Sequence, residues 1–160
     1  MEHQVVLSFL QNKMDEIQNR MRKVIDQLDE EDINWRPNKE SNSIGNLVIH
    51  IDGNIHQRVE AQILGLPDRR DRDKEFNHTI QMKKDEIIQT LGASFSTFTE
   101  AVQGLNEEDL QRKTVVNGKE VSVLEVLMRC TNHYSEHLGQ IMYIAKLRLG
   151  DQYITTTIPK

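Results

Sequence analysis

From Val5 to Leu28 the apolar residues Val5, Val6, Phe9, Leu10, Ile17, Met21, Val24, Ile25 and Leu28 return mostly at three- and four-residue steps. That is the period of a helix with one buried face, and it predicts a first long helix. Asp29-Glu30-Glu31-Asp32 then leads into Trp35-Arg36-Pro37, where proline opposes helix continuation and biases the residue before it toward extended geometry. After this loop, Ser41-Asn42-Ser43 offers N-cap oxygens immediately before Ile44, and the face continues through Leu47, Val48, Ile51, Ile55, Val59 and Ile63. A second helix is therefore predicted from Ile44 to about Leu64.

Gly65-Leu66-Pro67 and the dense alternating charge of Asp68–Glu75 break the pattern and read as an exposed crossover. Ile87, Ile88, Leu91, Phe95, Phe98 and Val102 predict a third helix over 83–102, with Gly104 suited to its C-terminal cap and Asn106–Leu110 to one further helical turn. Asn117-Gly118 between β-branched residues signals a small two-stranded flap. Ser122, with Glu125 three residues on, resembles a capping box opening a fourth helix that runs through Val123, Leu127, Cys130, Leu138, Ile141 and Ala145 to Leu149, closed by Gly150. The Thr-rich end from Gln152 to Lys160 has little to hold it in a helix. The expected architecture is all-α, a four-helix bundle with a long crossover between helices two and three, and residues 1–160 are expected to form a single domain.

Composition narrows the function classes. The formal charge of −5 comes from 20 basic and 25 acidic side chains, which gives no strong positive field to gather phosphate backbones, so nucleic acid is not an expected partner. No stretch reaches the roughly 20 consecutive apolar residues of a membrane span, and the first residues lack the basic leader and uninterrupted apolar core of a signal peptide. A lone Cys130 cannot close an internal disulfide, and in an apolar run it reads as a small buried hydrophobe. A soluble protein of the reducing cytoplasm is the expectation.

The chemistry on offer lies in the histidines. His133 and His137 stand four residues apart on the fourth helix, a spacing that puts two imidazoles on one face, within reach of one ion. His137 falls on the inward stripe with Val126, Cys130 and Ile141; His133 falls at its edge, and His50 borders the apolar face of helix two beside Leu47 and Ile51. The spacing alone leaves two readings open. Six histidines in 160 residues give such a pair by chance, and buried rings without a metal then each need a hydrogen-bond partner, at a cost of about 1–3 kcal/mol if unpaired. The segment His133-Tyr134-Ser135-Glu136-His137 also fits H-x-x-E-H, the inverzincin protease form. The only carboxylate side chain after it is Asp151, beyond the helix end, so a protease is disfavoured and Glu136 reads as a solvated residue or a partner to a ligand. His56 points to another sector of helix two, while His3 and His78 read as solvent-exposed.

Trp35-Arg36-Pro37, Ser43-Ile44-Gly45-Asn46-Leu47-Val48-Ile49-His50 and His133-Tyr134-Ser135-Glu136-His137-Leu138-Gly139-Gln140, in that order, resemble the DinB-like superfamily of bacterial four-helix-bundle metalloproteins. The run Arg70–Phe76 is similar to an uncharacterised Bacillus-type branch of it. The resemblance implies that His50, His133 and His137 are ligands of a zinc, nickel, iron or manganese ion with open positions for water or substrate. It also implies a homodimer, and a kinship with enzymes that join a low-molecular-weight thiol such as bacillithiol or mycothiol to an electrophile.

Under this resemblance the expected activity is metal-dependent S-transfer from a small thiol to an electrophilic small molecule, because a coordinated thiol is held as thiolate near neutral pH. A metal-dependent hydrolase using the same ligands and a non-catalytic stress-response bundle are the alternatives. Trp35 reads as packing that pins its loop. The charges from Arg69 to Glu75 read as a solvated, salt-bridged surface, with arginines that could reach an anionic thiol.

Overall fold

The computed structural model describes residues 2–157. Helix α1 (Glu2–Ile25), α3 (Ile44–Ile55), α5 (Lys84–Gln103) and α7 (Val123–Leu149) are the long elements. In the bundle α7 lies beside both α1 and α3, and α5 lies beside both α3 and α1. Most of the apolar stripes read from the sequence meet at the centre, where Met21, Val48, Ile51, Phe98, Leu127 and Ile141 are all fully buried in one continuous cluster, whereas Val5 and Phe9 of the first stripe are exposed. Each buried side chain contributes on the order of 1.5–3 kcal/mol by leaving water, which is what drives four one-sided helices together. No helix among the described residues is long and apolar enough to cross a membrane.

The short elements sit at the ends. Asp29 caps α2 (Glu30–Asn34) with a reciprocal capping box to Asp32, and Asn106 does the same with Asp109 for α6 (Glu107–Gln111). Strands β1 (Lys113–Val116) and β2 (Lys119–Ser122) pair antiparallel with Val116 opposite Lys119. Asn117 and Gly118 both take positive φ, 51° and 76°, as a tight turn matching the strand twist requires. Ser122 caps α7 by accepting from the Glu125 amide, although only that half of the expected box forms. Arg148, near the end of α7, holds Asp32 at 2.6 Å and Glu31 at 3.0 Å and lies 5.3 Å over the Trp35 ring. Trp35 thus pins the α2 loop, as its position beside Pro37 predicts.

The structure departs from the sequence reading in several places. Helix α1 stops at Ile25, because Asp26 to Leu28 turn to enter the α2 cap. The predicted second helix does not stay α-helical to Leu64; after Ile55 it widens into a π-helical segment, His56–Ala61, whose bonds include Gln62 N–H to the Gln57 carbonyl, five residues back. Such widened turns recur at functional sites. The end beyond the short 3-10 turn Gly150–Gln152 is non-helical through residue 157, as expected, but it is not free: Gln27 both donates to the Ile154 carbonyl and accepts from its amide. Residues 158–160 lie outside the described part. His3 is only 24% exposed on its side chain and faces Glu107 at 3.3 Å, in place of the solvent expected.

Helices α3 and α7 are tied at depth by a side-chain bond. Tyr134, fully buried, donates its hydroxyl to Asn54 Oδ1 at 3.0 Å. Tyr134→Phe keeps the shape and leaves that oxygen without its donor, so it is expected to destabilise the fold by about 1–3 kcal/mol, read from the urea midpoint; an unchanged midpoint would show that the tie carries no stability.

Candidate metal centre

His50 is placed by α3, whose N-terminus is fixed by Ser43, an N-cap accepting from the Asn46 amide. Asn46 in turn reaches across to the crossover, donating to the Glu75 and Asn77 carbonyls at 2.8 and 3.1 Å. The crossover therefore returns over α3 instead of looping into solvent, and its short helix α4 (Arg72–Glu75) ends on top of His50. The expectation of a solvated charge run fails at two of its residues: the side chains of Arg70 and Glu75 are only 3% and 1% exposed. A buried carboxylate must be paired. Arg70 donates from Nε at 2.6 Å and from Nη2 at 2.8 Å to the two oxygens of Glu75, and His50 Nδ1 lies 2.8 Å from Oε2. Burial pushes the Glu75 carboxyl upward, but Arg70 and His50 outweigh it and hold the group ionised, below its ordinary value.

The three histidines converge. His50 Nε2 is 3.1 Å from His133 Nε2, which is 2.8 Å from His137 Nε2. One nitrogen from each ring lies within 4.8 Å of the others, whereas His3, His56 and His78 stand apart. His56 is instead held on its own helix between Asp52 and Glu60. His50 is buried, and His133 and His137 are half-buried.

The tautomers follow from the partners. Glu75, an ionised carboxylate, can only accept, so His50 carries its proton on Nδ1 and presents a lone pair at Nε2. His137 Nδ1 lies 2.7 Å from Gln140 Oε1, an acceptor too, and likewise turns the lone pair of Nε2 inward. At most one of these lone pairs can be met by a proton on His133 Nε2. A shared cation satisfies all three, and with metal–nitrogen bonds of about 2.0–2.1 Å two ligands on one ion stand roughly 3 Å apart. The donor set thus fits a divalent metal, and imidazole suits zinc, iron and nickel alike. Carboxylate or carbonyl groups behind ligating histidines are the usual means of fixing their orientation.

Gly53 belongs to the same construction. A Cβ there would lie 2.3 Å from Glu75 Oε1, so only glycine lets the carboxylate settle behind His50. The sequence reading missed Arg70, Glu75, Gly53 and Gln140. The one available signal was the Arg70–Phe76 motif: Phe76 closes it and packs its ring 5.4 Å from His50. Glu136, weighed as a ligand partner, is exposed. Cys130 is buried, and burial pushes its thiol up to about 11, so it stays protonated.

Beside the cluster opens a cleft of about 290 Å³ whose lining includes His50, His133, Cys130, Arg58 and Arg72.

The family described as "Protein of unknown function (DUF1572)" matches residues 2–160. The chain belongs to that family. No curated protein matches it. Among solved structures it is similar to a conserved protein of Enterococcus faecalis, with a TM-score of 0.75 at 17% identity over 89% of this chain and 96% of that one. It is also similar to a DinB-like protein of Bacillus cereus (TM-score 0.71, 17% identity, 93% and 95% covered) and to one of Bacillus subtilis (0.68, 15%, 94% and 96%). The DUF1572 chain therefore has the DinB-like all-α fold, in agreement with the resemblance carried by its Trp-Arg-Pro and histidine motifs.

Two outcomes follow for this DUF1572 protein. Glu75→Gln keeps size but loses the charge that orients His50, and it is expected to weaken metal binding about 10–100-fold, measured by competition with a chromogenic chelator; equal affinity would remove Glu75 from the site. Burial lowers all three imidazoles from their ordinary value; for His133, burial first and then His137, His50, Arg70 and Arg58 bring it to about 4. As pH falls, the unfolded chain takes up these protons near about 6.5, and the folded metal-free chain does so only later. Stability is therefore lost on acidification between those values. The Tm of metal-free protein should fall from pH 7 to pH 5, and His133→Ala should flatten that slope; an equally steep slope in the variant would contradict the assignment.

Proposed function

We propose that this protein uses His50, His133 and His137 to hold one divalent metal ion, and that it transfers a low-molecular-weight thiol to an electrophilic small molecule. The observation that carries the reading is the convergence of three imidazole nitrogens, the lone pairs of His50 and His137 turned inward by Glu75 and Gln140, beside an open cleft that His50 and His133 line. Three protein ligands suit a centre that keeps a position for substrate, whereas structural sites are closed by four. Zinc, nickel, iron and manganese are the candidate ions. When bound, such an ion supplies Lewis acidity that holds a thiol as thiolate near neutral pH.

The remaining work falls to the chain's own residues. Glu75 and Gln140 keep the Nδ1 protons of His50 and His137 and so fix both rings. Both oxygens of Glu75 are engaged by Arg70 and His50, which leaves that carboxylate no part as a general base. Cys130, protonated and buried, does not serve as a nucleophile. The thiol sulfur forms a bond to the electrophilic carbon, the leaving group departs with the bonding pair, and the thiol proton passes to solvent. No protein nucleophile and no protein base is needed. The same ligand set also suits activation of water for hydrolysis, and substrate screening separates that reading from thiol transfer.

The test is metal analysis of protein from its native host, followed by thiol consumption with the identified ion restored. Near-stoichiometric metal, lost in a His50→Ala/His137→Ala double variant, and metal-dependent conjugate formation by mass spectrometry are expected. A metal-loaded protein that neither binds nor consumes any small thiol would sink the transferase. Protein without stoichiometric metal, or unchanged metal in the double variant, would favour a non-catalytic bundle.

A further inference from the structure

The cleft beside the histidines has an unbalanced charge. Arg58, Arg70, Arg72 and Arg129 all line it, and no Asp or Glu side chain among the described residues does. Arg70 is committed to Glu75, and Arg129 is paired to Glu125 at 2.6 Å on a half-exposed helix face. Arg58 and Arg72 differ. Arg58 donates only to neutral oxygens, Gln62 Oε1 at 3.1 Å and Asn117 Oδ1 at 3.4 Å. Arg72 rests over the Phe76 ring at 5.5 Å. Neither has an ion-pair partner among the described residues, on a chain whose acidic side chains outnumber its basic ones by 25 to 20.

The two cations are also delivered by irregular backbone. Arg58 comes from the π-helical segment, where the widened turn shifts the register relative to α3. The oxygen of Asn117 that steadies Arg58 comes from the positive-φ turn of the hairpin, an element otherwise peripheral to the bundle. Arg72 opens α4, the same short helix whose last residue, Glu75, stands behind His50. Three separate connections thus converge on one mouth of the cleft. Guanidinium groups in such a place recognise carboxylate or phosphate through paired N–H donors.

We infer that the cleft takes a small molecule bearing a carboxylate or phosphate group, which Arg58 and Arg72 hold while the remainder of the molecule extends toward His50 and His133. Arg58 and Arg72 are then specificity-determining residues. Asn117 is the positioning residue for Arg58, and the hairpin tip is a wall of the binding site. The inference deepens the proposed function by giving its small-molecule substrate a charge, but anion binding by the arginines does not itself depend on the ion.

The test uses the full chain, metal-free, in low-chloride buffer, titrated with orthophosphate, succinate and neutral succinamide while amide and arginine Nε–H signals are followed by NMR. Saturable shifts centred on Asn117 and the Arg58 and Arg72 side chains are expected for at least one of the two anions, and none for succinamide. Which of the two anions binds tells phosphate from carboxylate. Arg58→Gln and Arg72→Gln should each weaken binding roughly tenfold or more, as the loss of a charge-assisted contact does, whereas Arg22→Gln, on the exposed face of α1, should leave it unchanged. Asn117→Ala should weaken it less, through Arg58 alone. Linear, unsaturable shifts, equal losses in the Arg22 variant, or equal binding of succinamide would each overturn the inference. Metal content of the Arg58 and Arg72 variants, measured in parallel, should match that of the unmodified chain. Loss of metal in all proteins alike would count against the proposed centre and not against the anion site.

Discussion

Everything at the candidate centre depends on one buried carboxylate. Glu75 lies out of water at 1% exposure, and an unpaired charge there would cost several kcal/mol. It is tolerable because Arg70 grips both of its oxygens and His50 donates to one of them. The same pairing that makes the charge tolerable removes the freedom of the His50 ring. Its tautomer and the direction of its Nε2 lone pair are set by a residue 25 positions away in the chain.

That constraint explains why the crossover is ordered over α3. A charged segment has no hydrophobic reason to lie on the bundle, so it is held by polar devices that each solve a burial problem. Asn46 spends both amide hydrogens on the carbonyls of Glu75 and Asn77. Gly53 withholds a side chain where the Glu75 carboxylate comes down. Arg70 uses a further N–H on Gln57 at 2.9 Å. Opposite, α7 is held in register against α3 by Tyr134 and Asn54, so that His133 and His137 meet His50 from a rigid helix. Sites built on packed helices keep their geometry better than sites built on loops, and here every ring of the triad stands on one.

The helical frame was legible because period and capping agree along the chain: Ser43, Asn106 and Ser122 cap as their side chains suggest, and Asn117-Gly118 turns the hairpin. The meeting of His50 with His133 and His137 was suggested by their places, His137 on the inward stripe of helix four and His133 and His50 at stripe edges, and the resemblance named all three as ligands. What stood behind them did not. Arg70 and Glu75 have the composition of a solvated surface, and nothing in a charge pattern tells which of seven neighbouring polar residues is buried. That decision is made by a long-range contact with α3, invisible to any local rule. The π-helical turn after Ile55 is hidden for the same reason, since His56–Ala61 keeps a sequence that would serve an ordinary α-helix.

The placement of charge separates the two sides of His50. Behind it stands the Glu75 carboxylate, neutralised by Arg70, whose side chain is almost out of water while its residue still borders the cleft. In front of it, Arg58 and Arg72 stand over the cleft without carboxylate partners among the described residues. A cation drawn to the three lone pairs would add to that front-side positive charge, and nothing in the lining would offset it. Under the proposed function the balance comes from what enters: an ionised thiol, an acidic group elsewhere on the same molecule, or both. Paired charge behind the triad thus fixes geometry, and on the proposed reading unpaired charge in front selects what is admitted. Glu75 and Arg72, to which that reading gives the two tasks, are the two ends of one four-residue helix.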